Sequence, residues 1–419
     1  MKPEPLKGPA DASTLKAPSD VIREFYTNHP YPPPLANLDR AISLWQDPNV
    51  HRAEFHLLWP HKEYRADFDV LVAGCGTWQA ARFALTHPAA RVTAIDIAAT
   101  SLQHTEALKQ KYDMKNLETR QLALEDVGEL DQQFDFIIST GVLHHLVDPD
   151  AGLRVLRSAL RPEGAMYLML YAPYGRTGIS MFQEYCRTLG IDTSPQELRD
   201  LTETLRLLPQ PHPLVLMFRG SKNALDAGAL IDALLNPRDR TYSVPQLYDF
   251  LERNEMSFGR WYWQAPYSVC GDVAKTPHAA RLAALPERDR FKAVELWRGL
   301  ISNHDFIAYR NDAPNHGSQV RFDDDRYLNY VPVRRAWTMC VQDGVPPDAA
   351  GLLVNQTHMF PDIRVEVDAL EKQIYEAIDG QRTIGAIVES APDSSSRARD
   401  FFEKLWYYDQ AVFDTSRTQ

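Results

Sequence analysis

Cysteine is scarce in this chain of 419 residues, which contains Cys75, Cys186, Cys270 and Cys340, all far apart. Because they form no Cys-x-x-Cys pair, the sequence suggests neither a zinc ribbon nor a disulfide framework, and we predict no metal site. Long apolar runs are also missing: no stretch approaches the ~20 apolar residues that span a bilayer, and residues 1–14 lack the apolar centre of a signal peptide. We therefore expect a cytoplasmic protein with no membrane partner.

An excess of positive charge is missing as well. With 45 basic and 56 acidic residues, the formal net charge is −11. Proteins that hold polyanions by counterion release need clustered Lys and Arg, so we do not expect a nucleic-acid partner. The composition, 44% hydrophobic and 24% charged, is that of an ordinary globular protein. Since single cores stop growing near ~250–300 residues, we expect one large domain with a smaller attachment.

Residues 1–60 lack the alternating pattern of a regular domain. The first twenty have the composition of a mobile tail. The segment VIREFYTNHPYPPPLANL (21–38) places Phe25, Tyr26 and Tyr31 near a run of prolines, which cannot continue a helix. We predict that this aromatic segment lies across another surface of the protein as a cap.

From Asp69 onward, short apolar runs alternate with amphipathic stretches of helical spacing. The apolar runs are DVLVAG (69–74), ARVTAID (90–96), FDFIIST (134–140) and GAMYLMLY (164–171). Continuous runs of this kind are typical of strands buried on both faces, as in parallel sheets covered by helices. Residues LRPEG (160–164) provide a Pro and Gly turn before the last of these strands. The pattern predicts repeated β-α units, and hence an α/β fold with a doubly wound sheet.

A helical insertion interrupts this rhythm at about 177–255. Two strand-like segments follow it, FGRWYWQAPY (258–267) and HDFIAYRN (304–311), so we expect the α/β domain to extend over 61–318. Residues 319–419 should form a small α+β domain that opens with a strand in YVPVRRAWTMCVQ (330–342). Its second half has the order strand, helix, Asp-Gly turn, helix, helix and short strand, which is the order of a winged-helix-like module.

The strongest local motif is VLVAGCGTW (70–78), where a strand ends in a glycine turn and a helix begins. Gly74 and Gly76 permit positive φ and let the backbone approach a ligand closely. Asp96 ends the next strand, close to the ~20-residue spacing at which an acidic side chain meets ribose hydroxyls. Asp96 could instead cap the following helix. A nicotinamide site is a weaker alternative, because G-x-G-x-x-G needs glycine where this chain has Gln79.

These motifs resemble those of the class I S-adenosylmethionine-dependent methyltransferases. AGCGTW is similar to their glycine loop, VTAID to the end of their ribose-binding strand, and FDFIISTGVLHHLVDPDAGLRVLRSALRPEG (134–164) to their fourth-strand block. The resemblance implies a Rossmann-like seven-stranded sheet in the order 3-2-1-4-5-7-6, with an antiparallel seventh strand. It also implies S-adenosyl-L-methionine as the cofactor, and methyl transfer to an O, N or C nucleophile as the reaction.

The same resemblance assigns the cofactor contacts. Ala73, Gly74 and Gly76 would flank the methionine part, Asp96 would hold the ribose, Ile97, Leu124 and Glu125 would surround the adenine, and Thr140 and Gly141 would form the floor below the sulfonium. Three positions depart from the family pattern: Val72 replaces an acidic residue, Trp78 replaces the third glycine, and Ala123 replaces an aspartate. These departures leave open a catalytically degenerate protein that binds the cofactor for regulation.

The candidate catalytic residues are His144 and His145, from GVLHHL after the fourth strand, and Tyr31 in the cap segment. A general base is required only where the acceptor arrives protonated. Holding the reacting groups in line is the larger task of the protein. The alternative for the histidines is that they pack or hydrogen-bond the loop.

Four aromatic residues are candidates for the acceptor side of the site. Tyr26 and Tyr171 would close the site and exclude water. Trp261 and Trp263 would line the pocket or stack on a cationic or planar acceptor. The alternative for all four is ordinary packing in a core.

The C-terminal segment YEAIDGQRTIGAIVE resembles small winged-helix domains that bind leader peptides, and also the C-terminal domains of bacterial protein-lysine methyltransferases. This resemblance implies a peptide or protein acceptor that the C-terminal domain recruits. A small-molecule acceptor remains open, and so does a C-terminal domain that serves for packing or for forming a homodimer.

Overall fold

Seven strands form one mixed sheet in the computed structural model, which describes residues 18–218, 227–313, 320–390 and 397–418. The strands are β1 (Asp69–Ala73), β2 (Arg91–Asp96), β3 (Leu117–Gln121), β4 (Phe134–Thr140), β5 (Leu160–Tyr171), β6 (Met256–Trp261) and β7 (Asn303–Arg310). Their order, β3-β2-β1-β4-β5-β7-β6, confirms the predicted topology. β7 runs antiparallel to both of its neighbours, as the resemblance implied. The order reverses between β1 and β4, which opens a crevice at the carboxyl ends of these two strands.

The central strand β1 shows why the sequence forms a doubly covered sheet. All five of its residues are buried. Leu71 and Ala73 pack into one apolar core, whereas Val70 and Val72 pack into the core on the opposite face. Side chains alternate between the two faces of a strand, so a continuous apolar run is buried on both sides by helices.

The helices begin where the sequence supplies capping residues. Asp148 accepts a hydrogen bond from the backbone of Ala151 at the start of α6, and Ser194 caps α8 in the same way, each followed by proline in the first turn. The helices of this part of the chain are α1 (Pro18–Asn28), α2 (Asp39–Leu44), α3 (Pro48–Leu58), α4 (Gln79–Thr86), α5 (Ala99–Lys111), α6 (Pro149–Ala159), α7 (Thr177–Leu189), α8 (Pro195–Arg206), α9 (Pro213–Phe218), α10 (Ala227–Leu235), α11 (Val244–Arg253), α12 (Ala279–Ala283) and α13 (Glu287–Arg298). Helices α7 to α11 form the predicted insertion.

Two strand boundaries differ from the prediction. β5 begins at Leu160, inside the predicted turn, but its ladder with β4 jumps from the pair Phe134 and Leu160 to the pair Phe136 and Ala165. The residues between Leu160 and Ala165 therefore leave the ladder as a large bulge, which accounts for the Pro and Gly there. β6 ends at Trp261, and a short 3-10 helix at Ala265–Tyr267 replaces the rest of the predicted strand.

The C-terminal unit has the predicted order of elements but more strands than expected. Its elements are β8 (Val331–Arg334), β9 (Thr338–Val341), β10 (Gly351–Asn355), β11 (Arg364–Val367), α14 (Ala369–Glu376), α15 (Ile384–Glu389), α16 (Ala398–Tyr407) and β12 (Ala411–Asp414). The single strand expected over 330–342 is two, because Trp337 has a φ of 68° that interrupts the extended backbone. β8 pairs with β12, whereas β9 pairs with β10 in a separate sheet.

The C-terminal unit and the sheet domain are joined by a buried interface. Helix α3 lies between them: Ala53 and Leu57 pack into the C-terminal core, and Phe55 packs against the sheet. A fully buried carboxylate of the C-terminal unit, Asp409, lies 3.6 Å from a guanidinium nitrogen of Arg260 in β6 of the sheet domain. Its other oxygen accepts a hydrogen bond from the backbone of Ala265 in the sheet domain. Since removing one partner of a buried charge pair is strongly destabilising, we expect the two parts to depend on each other for stability.

Over the described ranges, the structure contains no helix of the length and apolar character required to cross a membrane.

Candidate functional site

A cavity of about 290 Å³ opens at the carboxyl ends of β1, β2, β4 and β5. This is the crevice at which open α/β sheets bind ligands. The predicted site residues that line it are Tyr26, Tyr31, Gly74, Gly76, Asp96, Ile97, Leu124, Glu125, Thr140, Gly141, His145 and Tyr171. One cavity therefore gathers parts of the chain that are separated by more than 100 residues.

The glycine turn after β1 forms the bottom of the cavity. Gly74 and Gly76 both have positive φ, 72° and 56°. A Cβ atom on Gly74 would collide with the side chain of Val142, and one on Gly76 would lie 3.0 Å from the carbonyl oxygen of Tyr31. Glycine is therefore needed at both positions, for backbone conformation and for space. With no side chain in the way, a ligand can approach the backbone of the turn.

Asp96 both holds the glycine turn and faces the cavity. One carboxylate oxygen accepts a hydrogen bond from the backbone of Gly76 at 2.9 Å, and the other accepts one from Ala98 at 2.8 Å. Burial raises the pKa of this carboxyl. The helix-capping alternative is not observed, because Ala98 is the N-cap residue of α5 and no side chain caps this helix. Each oxygen keeps a further lone pair that can accept a hydroxyl proton.

The side walls next to Asp96 are mostly apolar. Ile97, Leu122 and Leu124 line this part of the cavity, with Glu125 at the same end. Leu124 begins a short 3-10 helix, Leu124–Leu130. On the β4 side, the amide of Gln79 donates a hydrogen bond of 2.8 Å to the hydroxyl of Thr140. Apolar walls with a few fixed polar groups are typical of nucleoside pockets.

The cap segment lies directly over the glycine turn. The hydroxyl of Thr77 donates a hydrogen bond of 2.7 Å to the carbonyl oxygen of Pro32. The hydroxyl of Thr100 donates to the carbonyl oxygen of Thr27 at 3.1 Å, which holds the end of α1 against α5. Ile22 and Tyr31 also line the cavity. The segment 18–38 therefore forms one wall of the site.

The far end of the cavity is aromatic and carries a buried carboxylate. The hydroxyl of Tyr26 donates a hydrogen bond of 3.0 Å to Asp232 in α10, and the amide of Asn236 donates to the same hydroxyl at 3.0 Å. Burial raises the pKa of Tyr26 and of Asp232. The guanidinium of Arg176 lies 3.5 Å from the ring centroid of Tyr171, which is a close cation–π contact. The helical insertion thus supplies this end of the site.

The two adjacent histidines have different environments. His145 lines the cavity, and its Nδ1 lies 2.6 Å from the carbonyl oxygen of Arg238. His144 is fully buried, and its ring centroid lies 3.9 Å from that of Tyr171. Burial holds the pKa of His144 well below its ordinary value, so this ring is neutral. His144 is not among the residues that line the cavity, which argues against the predicted catalytic role for it.

Three other predicted site residues do not line the cavity. Ala73 is buried in the core below the turn. Trp261 is fully buried because its ring stacks on that of Tyr267 at 3.7 Å, and Trp263 lies under the guanidinium of Arg335 at 3.9 Å. Neither tryptophan lines this cavity, so their contact with an acceptor stays a prediction. They are part of the core and of the interface with the C-terminal unit.

Sequence reasoning missed Asp232 and Arg238, which line the aromatic end of the cavity. A signal for Asp232 is present in AGALIDALL, where a single carboxylate interrupts an otherwise apolar helix. Asp is almost never fully buried unless it is paired, so its place in an apolar helix points to a specific partner. No comparable signal marks Arg238, because nothing in the sequence relates the insertion to the end of β4.

Residues 71–166 match a family model described as a methyltransferase domain. An uncharacterized protein from Synechococcus sp. is 29% identical over 281 residues, 63% of this chain and 65% of that protein. The tRNA 5-carboxymethoxyuridine methyltransferase of Escherichia coli (strain K12) is 31% identical over 158 residues, 37% of this chain and 57% of that enzyme. The matches thus span less than two thirds of the length of either relative.

Among solved structures, PKMT2 from Rickettsia typhi is similar over 91% of this chain and 76% of its own, with a TM-score of 0.62 and 14% sequence identity. The same protein in complex with AdoHcy has a TM-score of 0.60 and 16% identity, with coverage of 87% of this chain and 73% of its own. At this level of identity the likeness concerns the fold. It extends beyond the sheet domain, since the aligned part includes most of the chain.

Proposed function

We propose that the chain is a class I S-adenosylmethionine-dependent methyltransferase and that it transfers a methyl group to an O, N or C nucleophile at the aromatic end of the cavity. The observation that carries this proposal is the arrangement of Gly74, Gly76 and Asp96 around one cavity, with a separate polar and aromatic end beside it. The first part suits an adenosyl ligand, and the second leaves room for an acceptor.

The residues present fit the cofactor of this family. The bare backbone at Gly74 and Gly76 would receive the methionine part, and the free lone pairs of Asp96 would accept the ribose hydroxyls. Ile97 and Leu124 would enclose the adenine between apolar side chains, with Glu125 beside them. Thr140, fixed by Gln79, and Gly141 would form the floor. Val72 and Trp78 leave this arrangement intact, because Val72 is buried in the core and Trp78 lines the cavity.

S-adenosylmethionine, when bound, supplies a methyl group on a positively charged sulfur that is a good leaving group. The protein then has to hold the acceptor atom in line and keep water away, a contribution worth up to ~7–11 kcal/mol for well oriented groups. Tyr26, Tyr31 and Tyr171 provide the walls for this task. Burial keeps the phenols of Tyr26 and Tyr171 protonated, so they act as hydrogen-bonding walls. His145 is a further wall, whose Nδ1 is committed to the carbonyl oxygen of Arg238.

Two measurements test the proposal. Calorimetry should show one S-adenosylhomocysteine bound per chain and no heat with a nicotinamide cofactor. Incubation with S-adenosylmethionine and candidate acceptors, followed by mass spectrometry, should give products that are 14 Da heavier.

Tyr171→Phe should leave cofactor affinity unchanged, whereas Tyr171→Ala should lower turnover by opening the acceptor wall. Cofactor binding without any product would instead favour a regulatory protein that has lost catalysis, and no binding would refute the family-based proposal.

A peptide or protein acceptor is favoured by a second cavity, of about 550 Å³, between β6 and α16. β6 is the edge strand of the sheet, and an extended peptide can add to such an edge through main-chain hydrogen bonds. Side chains of both charges line the cavity, among them Glu287, Arg290, Glu403 and Lys404. We infer that an acceptor segment remote from the methylated atom docks there.

Because Ala53 and Leu57 of α3 pack into the C-terminal core, deleting residues 320–419 would expose apolar surface of the sheet domain and confuse loss of docking with loss of stability. Charge reversal within the second cavity is a cleaner test. Glu403→Lys should lower turnover on peptide or protein acceptors while cofactor affinity stays at the wild-type value. Glu389→Lys, on α15 and outside this cavity, is the matched control. If Glu403→Lys and the wild type turn over every macromolecular acceptor equally, peptide docking in the second cavity is contradicted. The proposal for the cofactor cavity would be unaffected by that result.

A further inference from the structure

Three potential metal ligands meet behind the aromatic end of the cofactor cavity. They are His144 and His145, at the end of β4, and Asp239, which follows α10 in the insertion. One ligand atom from each residue lies within 4.8 Å of the other two. Nδ1 of His145 and Oδ1 of Asp239 are 3.9 Å apart. The contact joins two elements of the fold that are separated by more than 90 residues in sequence.

The hydrogen-bonding state of these atoms is unusual. Both ring nitrogens of His144 and Oδ1 of Asp239 are buried and have no hydrogen-bond partner among the described residues. Buried polar atoms in native proteins nearly always have a partner, so each such atom needs an explanation. Leaving a buried acceptor unsatisfied costs ~1–3 kcal/mol. His144 and Asp239 are neighbours, and each has such an unsatisfied buried atom. A cation bound between them would satisfy a nitrogen of His144 and Oδ1 of Asp239 together.

The surrounding groups are arranged as they are around metal ligands. Oδ2 of Asp239 accepts hydrogen bonds from Arg176 and from Gln183, both at 2.8 Å, which leaves Oδ1 directed away from them. Metal-binding carboxylates are commonly oriented by such outer hydrogen bonds. The carbonyl oxygen of Arg238, 2.6 Å from Nδ1 of His145, fixes the orientation of that ring. Arg176 lowers the net negative charge of the site, so the two imidazoles must supply much of the affinity.

We propose that His144, His145 and Asp239 bind a divalent transition metal ion, Zn²⁺ by preference, behind the acceptor end of the cavity. Two imidazoles and one carboxylate are a ligand set that suits Zn²⁺ and its first-row neighbours and does not suit Mg²⁺ or Ca²⁺, which prefer oxygen. The ion would tie the insertion to the end of β4 and so fix the wall formed by Tyr171 and His145. This site does not depend on methyl transfer, because its formation needs only the folded chain.

The test uses the full chain, without a histidine tag and stripped of metal by a chelator. Competition with a chromophoric chelator should show one Zn²⁺ bound per chain, and added Zn²⁺ should raise the melting temperature. Asp239→Asn and His144→Gln should each weaken Zn²⁺ binding by at least ~10-fold. His51→Gln changes a partly buried histidine elsewhere in the fold and should bind Zn²⁺ as the wild type does.

Cobalt provides a readout that needs no variant. Co²⁺ added to the stripped wild-type protein should give the intense visible bands of a four-coordinate site, and added Zn²⁺ should abolish them. The proposal is overturned if the folded wild type binds no Zn²⁺, or if the folded Asp239→Asn variant binds it with unchanged affinity. S-adenosylhomocysteine binding, measured on the same preparations, separates this outcome from a failure of the proposed function.

Discussion

Replacing Asp96 tests the link between fold stability and cofactor binding most directly. In the Asp96→Ala variant, the backbone N–H groups of Gly76 and Ala98 lose their carboxylate acceptor inside a buried region. A hydrogen bond to a charged group contributes ~1.5–3 kcal/mol, so two would contribute ~3–6 kcal/mol. The burial that raises the pKa of Asp96 offsets part of this gain. We therefore expect the free energy of unfolding to fall by ~2–4 kcal/mol in the absence of ligand.

Cofactor affinity should fall separately from stability. Loss of charge-assisted hydrogen bonds to the ribose should weaken S-adenosylhomocysteine binding by at least ~10-fold, or ~1.4 kcal/mol. Asp96→Asn should have smaller effects on both quantities, because it keeps one acceptor oxygen and loses the other. Urea denaturation gives the stability change, and calorimetry at a temperature where both variants are folded gives the affinity.

The matched control is Asp192→Ala. Asp192 lies in the insertion, and its carboxylate accepts a hydrogen bond from the backbone N–H of Ser194, two residues further along, as Asp96 does from Ala98. Unlike Asp96, however, Asp192 is exposed. This variant should lose little stability and bind the cofactor normally. Wild-type affinity in a folded Asp96→Ala protein would refute the reasoning, because it would mean that the ribose is held by another residue.

Three further predictions follow from the structure. Gly76→Ala should weaken S-adenosylhomocysteine binding in calorimetry, because the residue has positive φ and its new Cβ would press on the cap segment at Pro32. Unchanged binding would mean that the cap segment does not depend on this contact. Trp261→Ala should lower the free energy of unfolding, measured by urea denaturation, by ~3–5 kcal/mol, because the stack on Tyr267 is lost. A change in cofactor affinity would contradict the assignment of Trp261 to the core. Burial lowers the pKa of His87 to about 3, so the unfolded chain binds the extra proton at a higher pH than the folded chain. The free energy of unfolding should therefore fall as pH falls from ~6.5 towards 3, by up to ~1.4 kcal/mol per pH unit. His87→Asn should flatten this part of the pH profile of stability, and an identical profile would exclude His87 as its source.

The sheet could be predicted from the sequence because its strands are buried on both faces. Continuous apolar runs such as 69–74 and 134–140 are dictated by that double burial, and the glycine turn and Asp96 follow them at regular positions. Local chemistry also accounts for the second half of the cap segment, since the prolines after α1 cannot continue a helix and aromatic residues need a surface to cover. These features depend on residues that are close in sequence.

The aromatic end of the site could not be predicted in the same way. Asp232 and Arg238 reach it only because the insertion folds back over β4, a contact that no local pattern encodes. Trp261 and Trp263 could not be placed from the sequence for a related reason. Their periodicity is the same for a residue in a core and for one in a pocket, and only the packing of Tyr267 against Trp261 decides between them. The buried pair of His144 and Asp239 is likewise visible only after folding.

The position of the cap segment has a consequence for any shortened version of this protein. Ile22, Tyr26, Tyr31 and Pro32 all precede the first strand by more than thirty residues, yet they belong to the walls of the cavity. A fragment that starts at the sheet would keep every strand of the seven-stranded sheet, and would expose the cavity to solvent along one side. Completeness of the Rossmann-like topology is therefore a poor guide to where a fragment with an intact cavity begins.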